Sequence, residues 1–166
     1  MMETEAPHLI RIIQAFNLRK IPYLLIGGEA VVQYGSILPT KDHDFWIDPD
    51  HRKEATSLLR ELGYEGPPES EWDKPLLRLF ADWSVVDLLS ARNIRNLEGT
   101  SLAFDECLAR AKKFTDPDGS FYVYVPCLSD LIALKKMRPP TPKDLEDLRY
   151  LEEAQKREQE RIIPPV

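Results

Sequence analysis

The sequence predicts an α+β domain in which helices flank a small mixed β-sheet and a helical portion forms the carboxyl-terminal side. Three observations predict this class. Short apolar runs of strand length are interspersed with amphipathic stretches of helical period, clusters of glycine, proline and aspartate separate them, and the chain after Pro126 carries helical patterns only. The chain has 166 residues, of which 43% are hydrophobic, and this is enough for one well-buried core. We therefore expect a single domain over residues 1–155 and a polar tail over residues 156–166.

The first half of the chain is expected to alternate helices with strands. Apolar residues at intervals of three and four predict the helices, short apolar or aromatic runs predict the strands, and Gly63 is placed to end the last helix. The expected elements are, in order, a helix over residues 7–17, a strand over 23–26, a helix over 29–34, a strand over 42–47 and a helix over 51–62.

The second half is expected to begin with a hairpin and to end in helices. The sequence Asp-Pro-Asp-Gly at residues 116–119 predicts a tight turn, and Thr141 followed by Pro142 is typical of a helix start. Beyond Ala154 the polar sequence predicts a partly frayed tail. The expected elements are strands over residues 76–80 and 84–89, a polar connection over 91–99, a helix over 104–113, a strand over 121–125, a helix over 130–137 and a last helix from 142.

Two glycines and two aspartates form the most informative part of the chain. Gly27 and Gly28 follow a buried strand, where glycine lets the backbone turn sharply and lets a phosphate approach the amides closely. Asp42 and Asp44 are two residues apart, so on a strand both point to the same face, about 6.6 Å apart along the backbone. Hard oxygen ligands of this kind suit Mg²⁺ or Mn²⁺. Strand alternation turns His43 away from this pair, so we interpret it as a packing residue.

A third carboxylate interrupts the apolar run of the second hairpin strand. Asp87 lies between Val86 and Leu88, where an unpaired charge is costly. A metal ion or a cation would offset that cost, and a backbone amide capped by the aspartate is the structural alternative. We predict that Asp87 joins Asp42 and Asp44 in one site.

Composition excludes several other classes of protein. The net charge of −6 argues against a general nucleic-acid coat protein, and no apolar run approaches the length of about 20 residues that a membrane span needs. Cys107 and Cys127 lack the paired spacing of a zinc site or a disulfide framework. The amino terminus lacks the pattern of a secretory signal, so we expect a cytoplasmic protein with no membrane partner.

Three blocks of the sequence together resemble the minimal nucleotidyltransferases of the polymerase-beta superfamily, in particular those related to abortive-infection toxin nucleotidyltransferases. The blocks cover most of the chain between Tyr23 and Leu151, and they are GGEAVVQYGSILPTKDHDFW, VVDLLS and LSDLIALKKMRPPTPKDLEDLRYL. Their order is the strongest part of the resemblance. It implies the nucleotidyltransferase fold, Mg²⁺ or Mn²⁺ as cofactor, an NTP as substrate, and RNA, a protein or a small molecule as acceptor, with an antitoxin as a further partner.

The resemblance also implies roles for single residues. Asp42, Asp44 and Asp87 match the carboxylates that bind metal and carry catalysis. The positions that match the family's nucleotide-binding residues are the glycine turn, the polar pair before the aspartates and two lysines of the last block, namely Gly27, Gly28, Thr40, Lys41, Lys135 and Lys143.

Two positions depart from the family pattern. Glu29 stands where many relatives carry serine or threonine, and Leu38 stands where an arginine is frequent. Both changes remove groups that contact phosphate, and a carboxylate beside a triphosphate is repulsive unless it faces away or binds metal. The sequence therefore leaves two hypotheses open. The chain is either a metal-dependent nucleotidyltransferase or a catalytically degenerate module of the same fold that binds a nucleotide or a protein partner.

Two other chemistries that use an Asp-x-Asp pattern fit less well. A haloacid-dehalogenase phosphatase would carry threonine or valine where this chain has Trp46, and its motif lacks the glycine pair. A nucleotide-sugar glycosyltransferase normally needs a longer chain. Neither class explains the three ordered blocks.

Overall fold

The structure is a computed structural model that describes residues 8–36 and 42–162. The helices are α1 (His8–Leu18), α2 (Gly27–Gln33), α3 (Arg52–Glu61), α4 (Phe104–Ala109), α5 (Leu128–Lys135) and α6 (Pro142–Ile162). The strands are β1 (Tyr23–Ile26), β2 (Asp42–Ile47), β3 (Leu76–Ala81), β4 (Ser84–Ser90), β5 (Asn93–Arg95), β6 (Ser101–Ala103), β7 (Lys112–Thr115) and β8 (Tyr122–Val125).

The main sheet has four strands in the order β1-β2-β4-β3. Strand β1 runs antiparallel to β2, β2 runs parallel to β4, and β3 and β4 form an antiparallel hairpin. The parallel pair requires a crossover, and α3 and the hairpin strand β3 lie in that connection. The predicted α+β class with a small mixed sheet is therefore confirmed, as is the predicted hairpin.

The two faces of this sheet are covered to different extents. Side chains alternate along each strand, so Phe45 points to one face and its neighbour Trp46 points to the other. The larger core lies on the Phe45 face, where α1 and α3 pack and the rings of Phe16 and Phe45 meet edge to face at 5.2 Å. A smaller cluster covers part of the other face and includes Trp46, Phe104 and Cys107. Because this second face is only partly covered, it has space for a functional site.

The predictions for residues 91–115 were partly wrong. The expected polar connection contains the short strand β5, which pairs with β6, and the expected helix over residues 104–113 ends at Ala109. Residues Lys112–Thr115 form β7 instead, because they pair with β8 around the tight turn that the sequence did predict. Pairing between strands that are distant in sequence overrode the local helical pattern.

The last helix begins as predicted and runs further than predicted. Thr141 and Asp144 form a capping box, in which each side-chain oxygen accepts a hydrogen bond from the other residue's backbone N–H. The helix then continues to Ile162 rather than fraying beyond Ala154. Its far end is tied to the body of the domain by an ion pair between Lys112 and Glu158, with N and O 2.6 Å apart.

None of the helices within residues 8–36 and 42–162 combines the length and the apolar character that a bilayer span requires.

Candidate active site

Asp44 and Asp87 lie side by side in the middle of the main sheet. The parallel register of β2 and β4 places Asp44 directly opposite Asp87, and Asp42 opposite Val85. Asp42 and Asp44 project from the same face because His43 stands between them. Asp44 and Asp87 are partly buried, whereas Asp42, the first residue of β2, is exposed. The fold thus gathers Asp44 and Asp87 closely and holds Asp42 at the rim of the same face.

The crowding of carboxylates raises the pKa of Asp44 to about 6. Burial is the largest cause, followed by the negative charge of Asp87, a hydrogen bond with Asp87 and the charge of Asp42, while the positive charge of Lys135 opposes the shift. A carboxyl group with this pKa gains from a bound proton or from a cation. A divalent ion beside Asp44 and Asp87 would supply the missing positive charge.

Arg78 already binds the third carboxylate. It lies on the edge strand β3 directly opposite Asp87, where its Nε donates to Oδ1 at 2.7 Å and its Nη2 donates to Oδ2 at 3.0 Å. This bidentate pair raises the pKa of Arg78 further. Arg78 was not among the site residues that the sequence predicted. The hairpin was predicted with residues 81–83 as its connection, and the observed pairing of Ala81 with Ser84 is what places Arg78 opposite Asp87.

The glycine turn is packed directly against the site. Gly27 has a φ of +72°, and a Cβ atom at this position would overlap the carboxylate of Asp44. Helix α2 was predicted to begin at residue 29 but begins at Gly27. Its N-cap residue, Ile26, has no side-chain oxygen that could accept a hydrogen bond from the first amides of the helix. Only glycine therefore lets the start of α2 approach the aspartates this closely. Gly28 is the second residue of the same helix.

The lysines predicted to bind nucleotide fall in different surroundings. Lys135, near the end of α5, is largely buried, and its Nζ lies 2.9 Å from Asp147 and 3.5 Å from Asp144 on α6. Lys143 is exposed at the start of α6. Burial would raise the pKa of Asp144, but hydrogen bonds from Thr141 and nearby positive charges leave it below its ordinary value. Lys135 therefore joins the last two helices while its charge acts on Asp44.

Three positions from the sequence analysis lie outside the described residues. These are the polar pair Thr40 and Lys41, which were predicted to bind nucleotide, and Leu38, which replaces an arginine that is frequent in the family.

Glu29 does not face the aspartates. Its carboxylate forms a short contact with Nδ1 of His43, on the sheet face opposite to Asp42 and Asp44. Both side chains are nearly buried, with 10% and 14% of their surface exposed. They border a cavity of about 540 Å³ whose lining includes Ile13, Gln33, Trp83 and Phe121. The acidic residue that departs from the family pattern is thus paired and directed away from the site.

The donor set fits a hard divalent ion with few protein ligands. Among the described residues no group of three or more histidine, cysteine or acidic side chains is assembled for a metal. Mg²⁺ is commonly held by one or two carboxylates and completes its shell with water and substrate phosphate. Asp44 and Asp87, crowded together and both oxygen donors, meet that description, and Asp42 is on the same face. In this structure both oxygens of Asp87 accept hydrogen bonds from Arg78.

Comparison with solved structures relates this architecture to known enzymes. The lincosamide antibiotic adenylyltransferase LnuA, solved with lincomycin, superposes with a TM-score of 0.68 at 18% identity over 91% of this chain and 99% of its own. ANT(2")-Ia in complex with adenylyl-2"-tobramycin gives 0.56 at 17% identity, covering 89% and 87% of the two chains. A Thermotoga maritima protein assigned to the nucleotidyltransferases gives 0.52 at 13% identity, covering 91% and 86%.

The chain has the nucleotidyltransferase fold. The fold expected from the resemblance of the three sequence blocks is confirmed by these neighbours. No family model and no curated protein sequence matches the chain. The relation to abortive-infection toxins stays a prediction, as do the roles of the individual site residues.

Proposed function

We propose that this protein is a metal-dependent nucleotidyltransferase that transfers a nucleoside monophosphate from an NTP to an acceptor hydroxyl. The observation that carries the proposal is the pairing of Asp44 with Asp87 on adjacent parallel strands, beside a glycine turn that no larger residue could form. The shared fold of LnuA and ANT(2")-Ia supports it.

The acceptor that we favour is a hydroxyl group of a small molecule. Both named neighbours are described with an antibiotic, lincomycin in one and adenylylated tobramycin in the other. The net charge of −6 also disfavours extended contact with RNA. RNA, a protein side chain and an antitoxin-linked role are the other forms of the proposal, and the assay below separates them.

In this proposal each part of the site has its own task. Asp42, Asp44 and Asp87 would hold Mg²⁺ or Mn²⁺, which stabilises the charge that develops on the transferring phosphoryl group. Asp87 orients the acceptor hydroxyl and accepts its proton. The backbone at Gly27 and Gly28 contacts the triphosphate, and the nucleotide is steadied by the polar and basic positions Thr40, Lys41, Lys135 and Lys143.

The proposal is tested by following label from each α-³²P-labelled NTP into defined acceptors. The purified full chain would be incubated with Mg²⁺ or Mn²⁺ and with lincomycin, tobramycin, total RNA or total protein, and pyrophosphate release would be measured in parallel. We expect one acceptor class to acquire label and Asp42→Asn to abolish pyrophosphate release. Asp73→Asn, which changes an exposed aspartate, is the matched control. Unchanged turnover in Asp42→Asn would rule out the mechanism.

The second hypothesis, a non-catalytic binding module, is favoured by one observation. Arg78 engages both oxygens of Asp87, as a side chain would in a site that no longer uses this carboxylate. Calorimetry with each NTP distinguishes the two hypotheses. Tight binding with no product after prolonged incubation supports the binding module, and incorporation of label into any acceptor excludes it.

A further inference from the structure

The ion pair between Arg78 and Asp87 occupies a central position in the candidate site. Across the sheet, Asp44, Asp87 and Arg78 lie in one row, because the register joins Asp44 to Asp87 and Asp87 to Arg78. The guanidinium donates to both carboxylate oxygens of Asp87. Each carboxylate oxygen of Asp87 therefore already accepts a charged hydrogen bond from Arg78.

The two partners differ in how firmly the structure holds them. The side chain of Asp87 is 14% exposed on an inner strand, whereas that of Arg78 is 56% exposed on the edge strand. In the part of the chain that the structure describes, the ion pair of Arg78 is with Asp87. Arg78 can therefore swing toward solvent without disturbing the core, while Asp87 stays in place.

A positive charge beside Asp87 acts against a divalent cation in two ways. It competes directly for the oxygens of Asp87, and it repels a cation that approaches Asp44. The same charge offsets the mutual repulsion of the aspartates in the absence of a cation. Arg78 and a metal ion are thus alternative partners for one carboxylate.

We propose that Arg78 is a positioning residue that holds Asp87 until a divalent cation displaces it, and that it thereby sets the affinity of the site for metal. This inference rests on the proposed function. It assigns a role to a residue that the three aspartates and the glycine turn do not include, and it reconciles the occupied carboxylate with an active site.

The test is the binding of Mn²⁺ to the full chain without nucleotide, measured from the electron paramagnetic resonance signal of the free ion. Replacing Arg78 by methionine removes the competing charge while keeping a chain suited to an exposed strand position. We expect Arg78→Met to bind Mn²⁺ about tenfold more tightly than the wild type, which is the effect of one nearby charge at an effective dielectric constant between those of protein and water. Arg78→Lys, which keeps the charge and loses the bidentate geometry, should lie between them.

Two controls connect the effect with Asp87. Arg92→Met breaks a comparable surface ion pair with Asp50 and should leave Mn²⁺ binding unchanged. In an Asp87→Asn background, Arg78→Met should change Mn²⁺ affinity much less, because the arginine has lost the carboxylate that holds it in the site. An equal effect in both backgrounds would mean that Arg78 acts only as a general positive charge, and this would overturn the inference.

The possible results separate this inference from the proposed function. Binding of Mn²⁺ that is equal in the wild type and Arg78→Met, or weaker in the variant, overturns the role of Arg78 and leaves the metal site standing. Failure of both proteins to bind Mn²⁺ without nucleotide overturns the inference, and failure in the presence of an NTP as well overturns the metal-dependent function itself. Binding by Arg78→Met that the wild type lacks supports the inference most directly. Thermal unfolding of Arg78→Met close to that of the wild type shows that the change is confined to the site.

Discussion

Replacing Asp44 by asparagine should stabilise the protein in the absence of divalent ions, and only above mildly acidic pH. The pKa of Asp44 rises from an ordinary value of 3.8 to about 6 in the folded chain. A carboxyl group whose pKa is raised by folding favours the folded state while it is protonated there. That contribution is present at low pH and is lost as the pH rises through about 6.

The shift sets the size of the expected effect. About two pKa units correspond to about 3 kcal/mol between the protonated and ionised states, and we take about 1–3 kcal/mol as the range because Asp44 is only partly buried and solvent screens part of the effect. Asp44→Asn should therefore raise the free energy of unfolding by this amount at pH 8. A domain of this size would show an increase in Tm of about 2–4 °C per kcal/mol.

Urea unfolding at pH 4, 6 and 8 in the presence of a chelator measures this effect. Asp44→Asn should gain nothing at pH 4, where the wild-type group is protonated, and should gain most at pH 8. Asp73→Asn, an exposed aspartate, controls for the general loss of one negative charge. Adding Mg²⁺ should stabilise the wild type more than Asp44→Asn. An advantage of Asp44→Asn that is the same at all three pH values would refute the reasoning, because it would not arise from ionisation.

Three further predictions concern the surroundings of the site. Lys135→Met should destabilise the fold by about 3–5 kcal/mol in urea unfolding because it removes the cation beside buried Asp147 and one of the two cations beside buried Asp144, whereas Lys136→Met, which breaks an exposed pair, should cost less than about 1 kcal/mol. Gly27→Ala should lose about 3 kcal/mol or more, from the positive φ and from overlap with a carboxylate, while Gly63→Ala, at a positive φ with open space around it, should lose only about 1–2 kcal/mol. Glu29→Gln should lose about 1–3 kcal/mol because its partner histidine is nearly buried, and it should leave Mn²⁺ affinity unchanged because it faces the other side of the sheet.

Each of these predictions has an outcome that contradicts it. Equal losses of unfolding free energy in Lys135→Met and Lys136→Met would show that the buried ion pairs of Lys135 contribute no more than the exposed pair of Lys136. Equal losses in the two glycine variants would show that the close approach to Asp44 does not constrain position 27. Altered Mn²⁺ binding in Glu29→Gln would place this carboxylate in the metal site after all.

The parts of the site that the sequence predicted depend on local patterns. A glycine pair after an apolar run indicates a strand and a turn wherever the chain then goes, and alternation along β2 fixes which residues share a face with Asp44. Asp87 could be predicted because a charge within an apolar strand needs a partner. The hairpin of β3 and β4 could also be predicted, because its turn and both of its strands are contiguous in sequence.

The features that the sequence did not predict depend on contacts between distant residues. The strand β7 follows a helical pattern locally, and only its pairing with β8 makes it a strand. His43, the partner of Glu29, is fourteen positions away on β2. The sequence pattern did not show which element lies beside that strand. The place of Glu29 directly after the glycine pair suggested a position near the phosphate, but in the first turn of α2 its side chain is directed to His43.

The pairing of Glu29 with His43 changes where activity could have been lost. The sequence suggested that the phosphate-binding half of the site was modified at two positions, and one of these, Glu29, lies on the opposite face of the sheet. Among the described residues, the cations beside the aspartates include Arg78, which is paired with Asp87, and Lys135, whose charge acts on Asp44 and which two buried aspartates of α6 already hold. The crowding that raises the pKa of Asp44 favours a cation over an anion beside it, so we expect the site to attract a divalent ion rather than a bare triphosphate. Metal would therefore have to bind before or together with the nucleotide. Retention of an NTP by the chelator-treated protein as tight as that with Mg²⁺ would contradict this order.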